Sequence, residues 1–93
     1  MRVRPVPGLS VAVDADGRME VLAESADGTE RFYCGPVGTA MWIVLRQHDG
    51  DVGAAADALA GLWETAPANA LADLEIWVEE MRDAGLMRSE PCP

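Results

Sequence analysis

Lysine is missing. All 7 basic residues are arginine, they face 16 aspartates and glutamates, and the formal net charge is −9. The imbalance is local: residues 1–46 carry 5 Arg and 6 acids, residues 47–93 carry 2 Arg and 10 acids. Nucleic-acid phosphates and anionic membrane surfaces are repelled by such a C-terminal half, which excludes both as expected partners. Long hydrophobic runs are missing too. The longest, Ala40 to Leu45, has 6 residues, far below the ~20 that span a bilayer. Pro5, Pro7 and Asp14 interrupt any secretory signal core, so the cytoplasm is the expected compartment. Cysteine is scarce: Cys34 and Cys92 share no metal-ligand spacing and are expected as free thiols. The single histidine, His48, has no serine, cysteine or acid motif around it, and at a helix end it can meet the last carbonyls. Walker-type and GxGxxG glycine patterns are absent, as is EF-hand spacing. No catalytic residue, metal or cofactor is expected.

What is present is ordinary globular composition, with 49% hydrophobic and 25% charged residues in a 93-residue chain. Three Asp-Gly pairs, Asp16-Gly17, Asp27-Gly28 and Asp49-Gly50, mark turns, because glycine accepts positive φ. The first two separate three strand-like runs, Leu9–Val13, Arg18–Glu24 and Thr29–Cys34. In the second run Met19, Val21 and Ala23 share one face, and Glu20 and Glu24 the other. These runs predict a three-stranded antiparallel meander whose third strand is left with a free edge.

Helical periodicity follows. Pro36 suits a first turn. Val37, Met41, Val44, Leu45 and His48 form one stripe, with Gly50 as the stop. Asp51 is an N-cap for a second helix with Val52, Ala55, Ala56, Leu59, Leu62 and Trp63 inward. Thr65-Ala66-Pro67 reads as cap and first turn of a third, which runs to about Ala84 with Leu71, Leu74, Val78 and Met81 inward and stops at Gly85. Leu86 and Met87 are expected to fold back onto the core. The reading is therefore an α+β domain, three strands then three helices, over residues 9–87. Residues 1–8 are expected as a flexible N-terminal arm and 88–93 as a C-terminal tail.

Binding chemistry is what remains. A free strand edge offers spare N–H and C=O groups to another strand. Trp77 flanks the inward stripe of the third helix, where a tryptophan is more often core filler; the functional reading makes it the aromatic wall of a groove. On that reading Trp77→Ala keeps the fold and weakens binding by ~2 kcal/mol. Cys34, just before a helix start, is a candidate nucleophile only if something lowers its pKa.

The stretch Phe32-Tyr33-Cys34-Gly35-Pro36-Val37-Gly38-Thr39-Ala40-Met41-Trp42-Ile43-Val44-Leu45 resembles the aromatic strand and following Asn-x-x-Gly-x-x-aliphatic-Trp-x-x-Leu of the PqqD-like family. These are free-standing recognition elements for ribosomally made, post-translationally modified peptides. Asp49-Gly50, with Val52 and Leu59, resembles the family's second-helix entry, and Asp73 to Met87 is similar to its closing pattern. The resemblance implies a winged-helix-like fold without catalysis. It also implies that the leader of a precursor peptide adds as a strand to the third strand, beside the third helix, and is delivered to a modifying enzyme or leader protease. By position it places Glu30, Arg31, Phe32, Tyr33 and Cys34 against the leader, with Asp73, Leu74, Trp77, Val78 and Met81 lining or supporting the groove. Two departures stand out: Gly35 replaces the family's corner Asn, and the third helix is acidic, which suits a leader carrying Lys or Arg. A winged-helix DNA-binding protein is the alternative, along with an enzyme-docking subunit that never touches the leader. Asn69 followed by acids makes a poor recognition helix, and the hairpins precede the helices where a wing normally follows.

Overall fold

A computed structural model describes residues 2–90. Its elements are β1 (Arg2–Pro5), β2 (Leu9–Val13), β3 (Met19–Ser25), β4 (Gly28–Cys34), α1 (Pro36–Gln47), α2 (Val52–Trp63), α3 (Pro67–Asp83) and β5 (Met87–Glu90). The α+β class and the meander are as expected: β2, β3 and β4 form a three-stranded antiparallel sheet in that order. The third expected strand is β4.

The two hairpins turn differently. Between β2 and β3, the Asp14 carboxylate accepts from the Asp16 and Arg18 amides (2.9 and 3.0 Å). Gly17 there takes φ +80°, a conformation that costs glycine nothing. Between β3 and β4 the register Ser25↔Gly28 leaves Ala26 and Asp27 as the two connecting residues. Gly28 thus opens β4 and is not the turn centre that the Asp27-Gly28 pair implied.

Pro36 occupies the first turn of α1, and Gly35 is an N-cap without a side-chain hydrogen bond. The buried Thr39 compensates on the carbonyl side: its hydroxyl donates to the Gly35 carbonyl oxygen at 3.0 Å. Asp51 caps α2 by accepting from the Ala54 amide at 3.1 Å. Thr65 does not cap α3; Ala66 holds that position without a side-chain bond, and Pro67 supplies the preset φ.

Residues 2–5 and 87–90 correct the expectation of a loose arm and tail, positions 91–93 of that tail lying outside the described residues. β1 and β5 pair antiparallel, Val3 opposite Ser89 and Arg4 opposite Arg88. Val3 is 1% exposed. Arg2 and Arg4 grip the two Asp49 oxygens at 2.7 and 2.9 Å, and Arg4 also reaches Glu90 at 2.9 Å. The Asp49-Gly50 turn is the hinge of this arrangement. Both residues have positive φ, the Val3 amide donates to the Gly50 carbonyl at 2.9 Å, and a Cβ on Gly50 would collide with the Val3 carbonyl oxygen. Leu86 and Met87 are buried, as anticipated.

The core joins Met19, Val21 and Cys34 of the sheet to Met41, Trp42 and Leu45 of α1, Ala55 and Leu59 of α2, and Ala70, Leu74, Trp77 and Val78 of α3. Of the α1 stripe, Met41, Val44 and Leu45 are buried, whereas Val37 is exposed and Trp42 takes its place inside. In α2, Leu62 is exposed and Trp63 half-buried. No helix among the described residues is long and apolar enough to cross a membrane.

Candidate functional site

β4 lies at the rim of its sheet. On one side it pairs with β3; among the described residues no strand pairs with the other. The two-residue connection makes Ser25 and Gly28 a pair that exchanges both backbone hydrogen bonds. Alternation then assigns the rest. Glu30, Phe32 and Cys34 turn their N–H and C=O groups to β3, while Thr29, Arg31 and Tyr33 turn theirs to the open edge. Side chains alternate as well: Cys34 is buried and Phe32 half-buried on the helix side, and Arg31 and Tyr33 are exposed on the other, Tyr33 by 72%. Arg31 has only a long contact, 3.9 Å, to Glu20. Glu30 is exposed.

On α3, Asp73 is exposed, Met81 is half-buried, and Leu74 and Val78 are buried. Leu74 and Val78 therefore belong to the hydrophobic core. Trp77 departs from the sequence reading. It is 8% exposed and belongs to the core, meeting Trp42 edge to face with ring centroids 6.4 Å apart. It does not stand open as a wall. Its indole nitrogen lies over Gly38, where a Cβ would approach to 3.1 Å, and Cys34 flanks the same glycine at 3.2 Å. Trp77 thus ties α3 to the start of α1 and the end of β4. Among the described residues its N–H has no hydrogen-bond partner, and it is not sealed from solvent. The absence of a side chain at Gly38 is what lets the ring come this close; sequence reasoning used Gly38 only as a motif position.

A depression of about 620 Å³ opens at the same end of β4, lined by Val13, Arg18, Met19, Tyr33, Cys34 and Pro36, among others. Sequence reasoning singled out Tyr33 and Cys34 but not Val13, Arg18 or Pro36 as site residues. These come from three segments that only the hairpin and the α1 start bring together, and no local pattern marks them.

Burial raises the Cys34 thiol above its ordinary pKa, the opposite of what activates a nucleophile. Cys34 is free; Cys92 lies outside the described residues. No group of three or more His, Cys, Asp or Glu side chains placed to hold a metal occurs among the described residues.

No protein-family model matches the chain, and no curated protein matches it. A solved structure does: TbiB1 in complex with the TbiA(beta) leader peptide. It is 16% identical, covers 96% of this chain and 99% of that one, and has a TM-score of 0.79. At that identity, what the two chains share is the fold.

Proposed function

We propose that this protein is a non-catalytic, cytoplasmic recognition element of the PqqD-like kind. It captures the leader segment of a ribosomally made precursor peptide as an added strand on the open edge of β4, beside α3, and delivers it to a modifying enzyme or leader protease. The observation that carries the reading is the rim of β4, unpaired among the described residues, with the backbone groups of Thr29, Arg31 and Tyr33 directed outward and the Trp77 indole reaching Gly38 beside Cys34 at its end. The fold shared with TbiB1, whose structure holds a leader peptide, supports it. Main-chain hydrogen bonds would supply affinity, and the alternate side chains of the added strand would meet the helix side of the sheet. The raised thiol of Cys34 favours a binding role over a catalytic one.

The test is an amide-shift titration with the leader of a candidate precursor. Shifts confined to residues 29–34 and 70–82 support strand addition. Arg31→Pro removes one outward N–H while leaving the bonds to β3 intact, because proline is tolerated where the N–H faces outward. It should weaken leader binding at least about tenfold, which is roughly one hydrogen bond. Unchanged affinity in a folded Arg31→Pro protein refutes strand addition at β4.

A further inference from the structure

The opposite rim of the sheet, β2, is the less protected of the two. Edge strands are normally guarded by charge, proline, a bulge or a covering segment. β4 carries Glu30 and Arg31. β2, Leu9-Ser10-Val11-Ala12-Val13, has no charged residue and no proline, and its register with β3 runs unbroken from Leu9↔Ala23 to Val13↔Met19, so it has no bulge. Val11 and Val13 are exposed, and no described strand lies beyond them. The Asp14 amide donates to the Arg18 carbonyl at 2.9 Å. Alternation from that bond turns Ser10 and Ala12 to β3 and leaves the N–H and C=O groups of Leu9, Val11 and Val13 directed outward. Val11 and Val13 stand opposite the buried Val21 and Met19, so their side chains lie on the helix side. There a cleft of about 370 Å³ joins Leu9 and Val11 to Trp42 and Arg46.

We infer that this rim takes a second copy of the same chain, β2 against β2, antiparallel about Val11. The outward groups are symmetric about that residue. A two-fold axis there sets Val11 opposite Val11 and Leu9 opposite Val13, and each pair exchanges both backbone bonds. A register shifted by one residue aims outward groups at inward ones, and a shift by two leaves an outward residue of each copy unmatched. Opposed residues share a face, so Val11 meets Val11 and Leu9 meets Val13 over the cleft, while the small Ser10 and Ala12 meet on the outer face. Charge agrees. The same register sets Asp14 opposite Gly8 of the other copy, and Gly8 lines the cleft with Arg46. Asp14 and Arg46 are exposed and in no ion pair among the described residues. A pair of short strands is small beside a standard interface, so the dimer forms reversibly with concentration. Its sheet runs β4-β3-β2-β2-β3-β4, with a β4 rim at each end, and the inference stands apart from what β4 takes up.

The experiment follows the intact chain by sedimentation from micromolar to near-millimolar concentration under reducing conditions, with amide exchange measured at both ends of that range. The mass should rise to twice that of one chain. Exchange at Leu9, Val11 and Val13 should slow about tenfold, while Thr29, Arg31 and Tyr33 keep their rates. Val11→Lys sets two cations on the axis, and Val11→Pro removes an N–H that β3 does not use. Each should raise the dissociation constant at least about tenfold, whereas Arg31→Pro, on the other rim, should not move it. A monomer at every concentration overturns the inference. So does a dimer that protects residues 29–33 instead, or one that survives both Val11 substitutions in folded protein. Exchange is read on the unaltered chain, so a variant that fails to fold does not remove the test.

Discussion

Truncating Trp77 to alanine separates two ideas about the same side chain. An open groove wall would be removed without harm to the fold. The observed Trp77 is 8% exposed, packs edge to face on Trp42, and closes over Gly38 and Cys34. Burial on that scale puts the cost of Trp77→Ala at about 3–5 kcal/mol, of which the aromatic pair supplies roughly 0.5–1.5. A domain of this length has about 5–14 kcal/mol to lose, so the variant keeps between none and about four-fifths of its stability. At roughly 4–8 °C per kcal/mol, Tm should drop by about 12–40 °C, and urea unfolding should show an earlier midpoint. Trp77→Phe retains most of the packing and deletes the indole N–H. It should stay within about 1–2 kcal/mol of the parent and still bind a leader more weakly. A Trp77→Ala protein whose Tm moves by only a few degrees refutes the assignment of Trp77 to the core. A Trp77→Phe protein that binds with full affinity refutes a role for the N–H.

Gly50→Ala should be severely destabilising, by about 2–4 kcal/mol, because φ is +82° and the new Cβ meets the Val3 backbone; chemical denaturation reads this directly, and a neutral result would mean β1 does not sit against the turn. Asp49 has its carboxyl pKa lowered, first by its hydrogen bond to Arg4. A lowered folded value contributes stability above the ordinary carboxylate range and loses it as pH falls through the folded value. Asp49→Asn should therefore flatten the acid limb of the stability–pH curve, and an unchanged limb would discount the ion-pair clasp. In a Cys92→Ser background, Cys34 should react with a disulfide reagent far more slowly than a free thiol at pH 8, and at the free-thiol rate once the protein is unfolded in urea. Equal rates in the folded protein would contradict its burial.

The elements that repeat within a few residues were legible. Leu9–Val13 is a strand as read, Pro36 and Pro67 open helices, Asp51 caps α2, and α3 ends beside Gly85. What escaped depends on distant partners. Arg2-Val3-Arg4 is too short for its alternation to register as a strand, and its partner lies more than 80 residues away at Met87–Glu90. Asp49 was visible as a turn residue, but its role as the anion shared by Arg2 and Arg4 was not. Trp77 shows a different limit. Helical periodicity placed it at the margin of the inward stripe, and only its contact with Trp42 across two helices decides that it is inside. The site residues of β4 were legible as a strand. Which of their amides face outward was not, because that parity follows from the Ser25↔Gly28 register, one residue earlier than the Asp-Gly pair implied.

Among the described residues the sheet has two open rims, and the choice between them follows from what lies beneath each. β2 exposes backbone groups at Leu9, Val11 and Val13 by the same alternation, and the side chains of Val11 and Val13 are 42% and 49% exposed. A strand added there would lie along the shallow cleft that Leu9 and Val11 share with Trp42 and Arg46. β4 ends on the buried Cys34, which shares Gly38 with the Trp77 indole nitrogen. A strand added there would also come near the indole N–H, which solvent still reaches and which has no protein partner among the described residues. Hydrogen bonds to backbone are the same for any sequence, so selectivity has to come from these neighbours. Val11→Pro, which blunts the β2 rim as Arg31→Pro blunts that of β4, should leave leader affinity within about twofold of the parent. If the two proline variants bind equally poorly, the peptide is not choosing its rim by what α3 presents.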